Sequence, residues 1–428
     1  MAQTGGDKAL TARSPEPVLR RSRPRTADPE LVWEVKRNIA DRDLLHAAGL
    51  PVKLQFSHRA SIGIEPSVSK LIAADNREAM ALMLAGSESS ASLAGTVKLC
   101  YMDPPYNTGA HFSTYSDKVG SAGWLETLRD RLVQIRALLT ADGSVWLHLD
   151  DSEQHHARSV LDEVFGRDAF VATVIWQKRT SRDNRTAFSS SHDYIHVYAP
   201  QGAKVWKRIR NGLPDTGTFS NPDNDPRGPW RSTPMSAQAG HATKAQYYTV
   251  TTPTGATHEP PPGRCWTYSE PRLRELDADG RVYWPRNGHG RPRLKRYEYE
   301  VLGLAPSTLW MADFAGDTAE AKRELLGVFP EGSPFDTPKP ERLMERIISI
   351  ATNPGDLVLD PYLGSGTTAV AALRAGRHFI GIEQAKDVVL NIAIPRIASR
   401  TEHLNVGLDV LEVVPAPLSR GRTSRPSR

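Results

Sequence analysis

Short apolar runs alternate with amphipathic stretches in two separated parts of this 428-residue chain, and that alternation restricts the fold more than any other feature. Residues 70–74, 97–102 and 144–149 read as buried strands, and residues 76–85, 124–140 and 151–165 as helices. Over 124–140, Leu125, Leu128, Leu132, Ile135 and Leu139 share one helical face, and Ala141-Asp142-Gly143 closes the segment. The rhythm returns with a helix over 341–352, a strand over 356–359, a helix over 367–375 stopped by Gly376, and a strand over 378–382. Strands separated by helices pair in parallel, because a parallel neighbour needs a long crossover and the helix supplies it. The predicted fold class is therefore α/β, a doubly wound, mixed but mostly parallel sheet. A helical pattern over 29–47 adds a supporting element.

Between 176 and 330 the alternation stops. This stretch is rich in Gly and Pro and carries 22 Lys/Arg against 16 Asp/Glu, a local +6. The simplest organisation is one sheet domain in two parts, residues 28–175 and 331–414, split by an inserted, more basic α+β module over 176–330 that is long enough for its own core. Residues 1–27 and 415–428 carry +4 each and are rich in Pro, Ser, Thr and Arg without apolar periodicity, so both are predicted to be basic disordered tails. The whole chain carries only +5, which leaves −9 on the sheet segments. Positive charge gathered in the insert and the tails points to a polyanionic partner.

Composition excludes several other classes. Two cysteines, Cys100 and Cys265, cannot build a disulfide framework and lack the paired spacing of a structural zinc site. His148, His155, His156, His192 and His196 form no H-E-x-x-H pattern, and the adjacent His155 and His156 diverge on a helix, so no metal is expected. No run approaches the roughly 18 apolar residues of a membrane helix, and no signal-peptide core is evident, so a cytoplasmic protein without membrane contact is expected.

Two loops carry the chemistry. Asp360-Pro-Tyr-Leu-Gly-Ser-Gly366 lies between a predicted strand and a predicted helix, where Gly364 and Gly366 permit a tight turn and close approach of a ligand to the backbone. The next strand ends in Glu383, close to the spacing at which nucleoside-binding folds place a ribose-binding carboxylate. Gly-Lys-Ser/Thr is absent, which disfavours a triphosphate. The second loop, Asp103-Pro-Pro-Tyr-Asn-Thr-Gly109, follows the strand at 97–102 and should face the first across the carboxyl edge of the sheet. Its prolines leave carbonyl acceptors beside the Asp103 carboxylate, a set suited to an amino group with two hydrogens to donate, and Tyr106 offers a flat face for a base.

Asp103-Pro-Pro-Tyr106 resembles the catalytic signature of S-adenosylmethionine-dependent DNA amino-methyltransferases, and residues 360–366 are similar to their cofactor motif, with Tyr362 where the family often has Phe. Catalytic motif first and cofactor motif last is the order of the β class. Finer similarity to the modification subunits of type III restriction-modification systems covers roughly residues 65 to 390. It is carried by residues 103–109, Pro222-Asp-Asn-Asp-Pro-Arg-Gly-Pro-Trp230, Gly263-Arg-Cys-Trp266, Pro292-Arg-Leu-Lys-Arg-Tyr297 and Phe335-Asp-Thr-Pro-Lys-Pro340. Those subunits are usually longer.

The resemblance implies a seven-stranded Rossmann-like methyltransferase sheet with an inserted target-recognition domain, S-adenosyl-L-methionine as cofactor and double-stranded DNA as partner. It implies transfer of a methyl group to N6 of a flipped-out adenine, with a second copy of the chain or a restriction or defence-system subunit as further partners. Cytosine N4 as target, or a mainly DNA-recognising subunit, are the alternatives; Asp rather than Ser at position 103 favours adenine. Asp103, Pro104 and Pro105 would form the acceptor loop, and Tyr106 would stack the base. Asp360, Tyr362, Gly364 and Gly366 would surround the cofactor, Glu383 its ribose, and Lys339 its carboxylate end. Asp75 is read either as a contact to the cofactor's adenine or as a helix N-cap, and Asn107 either as a loop-shaping residue or as a base contact. In the insert, Arg291, Arg293, Lys295 and Arg296 form the densest basic run and are the expected DNA contacts. Trp230 and Trp266 are expected as buried anchors.

Overall fold

The computed structural model describes residues 36, 54–63, 68–86, 91–108, 120–213, 217–301, 303–332, 335–404 and 406–415. The helix expected over 29–47, except Lys36, and the tails over 1–27 and 415–428, except Pro415, lie outside these residues.

The strands are β1 (Leu54–Gly63), β2 (Ser69–Ala73), β3 (Val97–Met102), β4 (Leu139–Leu149), β5 (Phe170–Gln177), β6 (His192–Tyr198), β7 (Leu309–Trp310), β8 (Leu357–Asp360), β9 (His378–Glu383) and β10 (Gly407–Pro415). They form one ten-stranded sheet in the order β1-β10-β2-β9-β8-β3-β4-β6-β5-β7. The five pairings from β10 to β4 are all parallel, whereas β1 with β10, β4 with β6 and β6 with β5 are antiparallel.

The mostly parallel sheet is as expected; the count of seven strands is not. β5 and β6 are joined with no intervening helix and pair antiparallel, and β6 carries the polar His192, Asp193 and His196, so they escape a reading that looks for apolar strands joined by helical crossovers. β1 and β10 form an edge ribbon for the same reason.

Helices α1 (Asn76–Ala85), α2 (Ser121–Leu138), α3 (Gln154–Phe165), α4 (Thr318–Leu326), α5 (Glu341–Ala351), α6 (Thr367–Arg374) and α7 (Ile394–Thr401) belong to the same domain. α2 buries Leu125, Leu128, Leu132 and Ile135 of the predicted stripe, joined by Trp124 and Leu138, in a cluster with Met80, Leu147, Val160 and Ile380, whereas the expected fifth member, Leu139, already begins β4.

The chain divides into two compact units, residues 1–210 with 307–428, and Asn211–Pro306. The second is therefore narrower than the expected insert over 176–330. The physical reason is pairing: β5 and β6 continue the sheet beside β4, β7 pairs with β5, and the buried Trp176 indole donates to the Gly316 carbonyl. This redistributes the charge as well. Residues 211–306 hold 12 Lys/Arg against 10 Asp/Glu, whereas 176–210 hold 8 against 2, so the basic stretch belongs mainly to the sheet unit.

The smaller unit has a three-stranded antiparallel sheet of Trp230–Pro234, Arg293–Tyr297 and Val282–Tyr283, and a core of Met235, Val250, Trp266, Leu273, Leu276 and Val282. Trp230 and Trp266 are both buried, the anchoring role expected of them.

Candidate active site

β3, β8 and β9 are adjacent and parallel, so the residues that end or follow them, Asp103, Asp360 and Glu383, emerge at one edge of the sheet. The two loops singled out in the sequence, separated by more than half the chain, meet there. A cavity of about 540 Å³ is lined by Asp103, Pro105, Lys339, Asp360, Tyr362, Gly364 and Glu383, among others.

The Asp-Pro-Pro-Tyr loop is held from several sides. Tyr106 donates its hydroxyl hydrogen to Asp103 Oδ1 at 2.7 Å, and burial pushes the phenol up, so it stays a neutral donor. Lys339 Nζ donates to Asp103 Oδ2 and lies 5.5 Å from the Tyr106 ring centre. The Trp124 indole donates to the Pro105 carbonyl at 2.6 Å, and no described residue donates to the Pro104 carbonyl. Asn107 adopts a left-handed conformation (φ 59°) and donates to Glu153 Oε1, which also accepts from Ser121 Oγ. Its side chain shapes the loop.

Beneath the loop lies a buried chain of polar groups. The Tyr106 ring stacks on His148 with centres 6.2 Å apart; His148 Nδ1 meets the Tyr101 hydroxyl at 2.7 Å, and its Nε2 meets Asp193 Oδ2 at 3.2 Å. Lys178 Nζ donates to Asp193 Oδ1 at 2.6 Å. Burial raises the Asp193 carboxyl, but hydrogen bonds and charge from His148 and Lys178 outweigh it and hold the group at about 2.

The glycine turn is built for close approach. Gly364 and Gly366 have φ of 52° and 86°, and a Cβ on Gly364 would come within 2.9 Å of the Phe335 ring. Gly364→Ala is expected to cost about 1–2 kcal/mol through its left-handed backbone alone, read as a lower midpoint in denaturant unfolding. Asp360 is buried at 2% exposure and accepts from the Tyr362 amide at 2.9 Å. Burial, joined by the nearby charges of Asp103 and Glu383, pushes its carboxyl up to about 7. Glu383 accepts from the Gly364 and Ala385 amides, both at 2.9 Å, so it braces the turn while retaining lone pairs for a ligand.

One open reading is decided and two sequence expectations change. Asp75 does not line the cavity: it caps α1 by accepting from the Arg77 amide at 2.8 Å and faces Arg131 at 3.4 Å. Its neighbour Asn76 reaches the site instead, donating to the Pro361 carbonyl at 3.1 Å. Lys339 lines the cavity, but its ammonium is engaged by Asp103, and its carbonyl accepts from Thr367 Oγ1 at 3.1 Å, so it ties the acceptor loop to the helix that follows the glycine turn. Lys295 is buried between Asp223 and Asp225, with Tyr297 and Arg227 on the same Asp225 carboxylate. Arg227 is the largest influence holding Asp225 far below the usual carboxylate range.

A lysine committed to two carboxylates in a core is not available to phosphate. Lys295→Met is expected to destabilise the smaller unit by about 3–5 kcal/mol, measurable as earlier protease cleavage within 211–306. Arg293 binds Ser232 through its side-chain and backbone oxygens, while Arg291 and Arg296 are exposed.

Sequence reading missed Arg396, fully buried, whose Nη1 donates to Ser365 Oγ and Thr367 Oγ1, both at 2.9 Å. An arginine in an amphipathic helix reads as solvated, and nothing local marks it otherwise. The five histidines serve packing and hydrogen bonding; His196, for example, is pushed down to about 4 by burial. Among the described residues no cluster of His, Cys, Asp and Glu is placed to hold a metal ion. No described helix is long and apolar enough to cross a membrane.

A mostly parallel sheet with a glycine turn and an Asp-Pro-Pro-Tyr loop on one cavity defines a Rossmann-like group-transfer site. The N6/N4 DNA methylase family model matches residues 97–393, and the chain belongs to this DNA methylase family. It is 30% identical over 359 residues to the Mod subunit of the type III restriction-modification enzyme StyLTI of Salmonella typhimurium, covering 75% of this chain and 54% of that protein. It is 31% identical to the type II methyltransferase M.EcaI of Enterobacter cloacae over 77% of this chain and 71% of that one. To M.KpnI of Klebsiella pneumoniae it is 29% identical, over 65% and 71%. The chain thus spans about half the length of the Salmonella subunit.

Proposed function

We propose that this chain methylates N6 of an adenine flipped out of duplex DNA, with S-adenosyl-L-methionine as methyl donor, in a restriction-modification or phage-defence system. The observation that carries the reading is the shared cavity: Asp103 and Pro105 of the acceptor loop line it together with Asp360, Gly364 and Glu383 of the turn. Its volume of about 540 Å³ lies in the range of small-ligand sites. The donor set also fits. Asp360 is a buried carboxylate with no cation among its described partners, so a positively charged ligand would be its natural counter-charge.

Bound against Asp360, Tyr362, Gly364 and Glu383, the cofactor supplies an electrophilic methyl on a sulfonium. The chain's own residues do the rest. Asp103 and the Pro104 carbonyl accept both hydrogens of the target amino group, which frees its delocalised lone pair to point at the methyl. Tyr106 stacks the flipped base, and Lys339 yields part of its hold on Asp103 as the amino group arrives. Unpairing costs a few kcal/mol, repaid by stacking and hydrogen bonding in the site. Asp rather than Ser at position 103 favours adenine over cytosine N4. Arg291 and Arg296, exposed on the smaller unit, are proposed to hold phosphates. A second copy of the chain and a restriction subunit are further partners under this reading.

The test is transfer of labelled methyl from the cofactor to DNA lacking this modification, followed by mapping of the modified base. Label in N6-methyladenine supports the reading, N4-methylcytosine corrects the target, and cofactor binding without transfer favours a recognition subunit.

Asp360 also makes the binding pH-dependent. With its carboxyl raised to about 7, the empty site is protonated below that pH, and a cation must displace the proton. Cofactor affinity should fall up to tenfold per pH unit below about 7. Calorimetry at pH 6.5 in buffers of different ionisation enthalpy should show proton release, which Asp360→Asn removes. In the empty protein the sign is opposite: the folded state holds the extra proton between the ordinary carboxyl range and 7, so this group's contribution to stability falls as pH rises through that window.

A further inference from the structure

The most exposed large apolar side chain among the described residues is Phe188, at 93%. It sits in the connection between β5 and β6, residues 178–191, and this connection is a built structure. The Lys178 and Arg179 amides both donate to the Ser191 carbonyl and close its base. Asp183 is gripped bidentately by Arg185, both bonds 2.9 Å, and its amide donates to Ser189 Oγ at 2.9 Å. Thr186 Oγ1 bonds to the carbonyls of Asp183 and Phe188. An exposed apolar side chain on an unstructured loop would call for no explanation, but here a hydrogen-bonded turn presents it to solvent.

Its position matters. β3 and β4 are parallel and β4, β6 and β5 pair in alternating directions, so β5 ends at the edge where Asp103 follows β3. The lateral separation is three strand spacings, roughly 14 Å, close to the ~12 Å width of a major groove. Lys178, Arg179, Arg182 and Arg185 face a single acid, Asp183, within the connection, a net +3. Arg179, Arg182 and Arg185 are exposed. The base of the connection is joined to the acceptor loop through Lys178, Asp193, His148 and Tyr106.

We infer that residues 178–191 form a finger that grips the DNA backbone with Arg179 and Arg182 and inserts Phe188 into the base stack beside the target, filling the space the flipped base leaves. This rests on the methylation reading above and locates a contact on the sheet unit rather than on residues 211–306. Duplex DNA attracts cations along its phosphates and tolerates an apolar wedge at a base step at a cost of a few kcal/mol, and an exposed aromatic on a hydrogen-bonded basic turn meets both demands.

The experiment compares wild type with Phe188→Ala on duplex oligonucleotides carrying the mapped target, once with the target opposite its normal partner and once opposite an abasic site. Being exposed, the substitution should leave the fold intact. We expect kcat/KM on the normal duplex to fall about 10–100-fold and to recover on the abasic duplex, where unpairing no longer needs help. Equal loss on both, or no loss on either, overturns the inference. If wild type transfers no methyl, the activity reading fails, and the finger is judged by binding to duplex DNA: Arg179→Gln with Arg182→Gln should flatten the slope of log K against log salt by about 2. An unchanged slope overturns the finger independently.

Discussion

Asp103→Ala is expected to lower methyl transfer by about a thousandfold or more while cofactor binding persists, because the acceptor set for the amino group is removed and the glycine turn is untouched. The alanine also strips Tyr106 of its acceptor at 2.7 Å and leaves Lys339 without its carboxylate, so a modest loss of stability accompanies it. Asp103→Asn separates the two effects. It keeps an oxygen for the Tyr106 hydroxyl but removes the charge that pairs with Lys339 and turns one acceptor into a donor, so transfer should remain severely reduced while only the Tyr106 share of the stability loss is regained. Single-turnover transfer from labelled cofactor, with cofactor binding by calorimetry, distinguishes the outcomes. Substantial activity in either variant would sink the proposed mechanism.

Arg396→Met is expected to destabilise the sheet unit by about 3–5 kcal/mol. The guanidinium is fully buried, with Nη2 lying 3.4 Å from Glu341 and 3.6 Å from Glu324. Burial already pushes Glu324 up to about 7; removing the cation raises it further and leaves Glu341 with Arg374 and Arg400 as its remaining partners. The deficit should therefore be larger at pH 8, where both carboxylates must ionise, than at pH 5.5, where Glu324 is protonated in the folded state. Because Arg396 also holds Ser365 and Thr367 beside the turn glycines, cofactor affinity should drop in parallel. Denaturant unfolding at the two pH values checks the sign, and a deficit that shrinks as pH rises would contradict it.

Most of the central sheet was legible because burial imposes period. Val97–Met102 and Asn76–Ala85 occur at the predicted bounds, and the neighbouring elements shift by a few residues. Both reactive loops were legible too, since Pro, Gly and Asp at strand ends are local signals that need no partner to be recognised. The edges were not. β1 and β10 pair with each other across most of the chain, and β5 and β6 join the sheet antiparallel through a connection without a helix, so neither pair shows the strand-helix rhythm. The same limit misplaced the insert's boundaries and credited it with positive charge that belongs to residues 176–210.

Charge identity was read correctly and charge partnership was not. Lys295 and Lys339 are singled out for a ligand, yet each is engaged by a protein group, Asp225 and Asp103 respectively, while Asp75, read as a ligand contact or a helix N-cap, is the N-cap. Residue types and their order determined that this chain forms a mostly parallel α/β sheet with a glycine turn and an amino-group acceptor loop. Those properties follow from local sterics, periodicity and side-chain chemistry. The facing of the two loops also followed from the order of strands and their carboxyl ends, whereas only the tertiary structure decided that Arg396 braces the turn and which cations remain exposed to a polyanion. Such properties depend on which distant groups are brought within hydrogen-bond range, and an ion pair formed across 236 positions leaves no trace in the sequence near either partner.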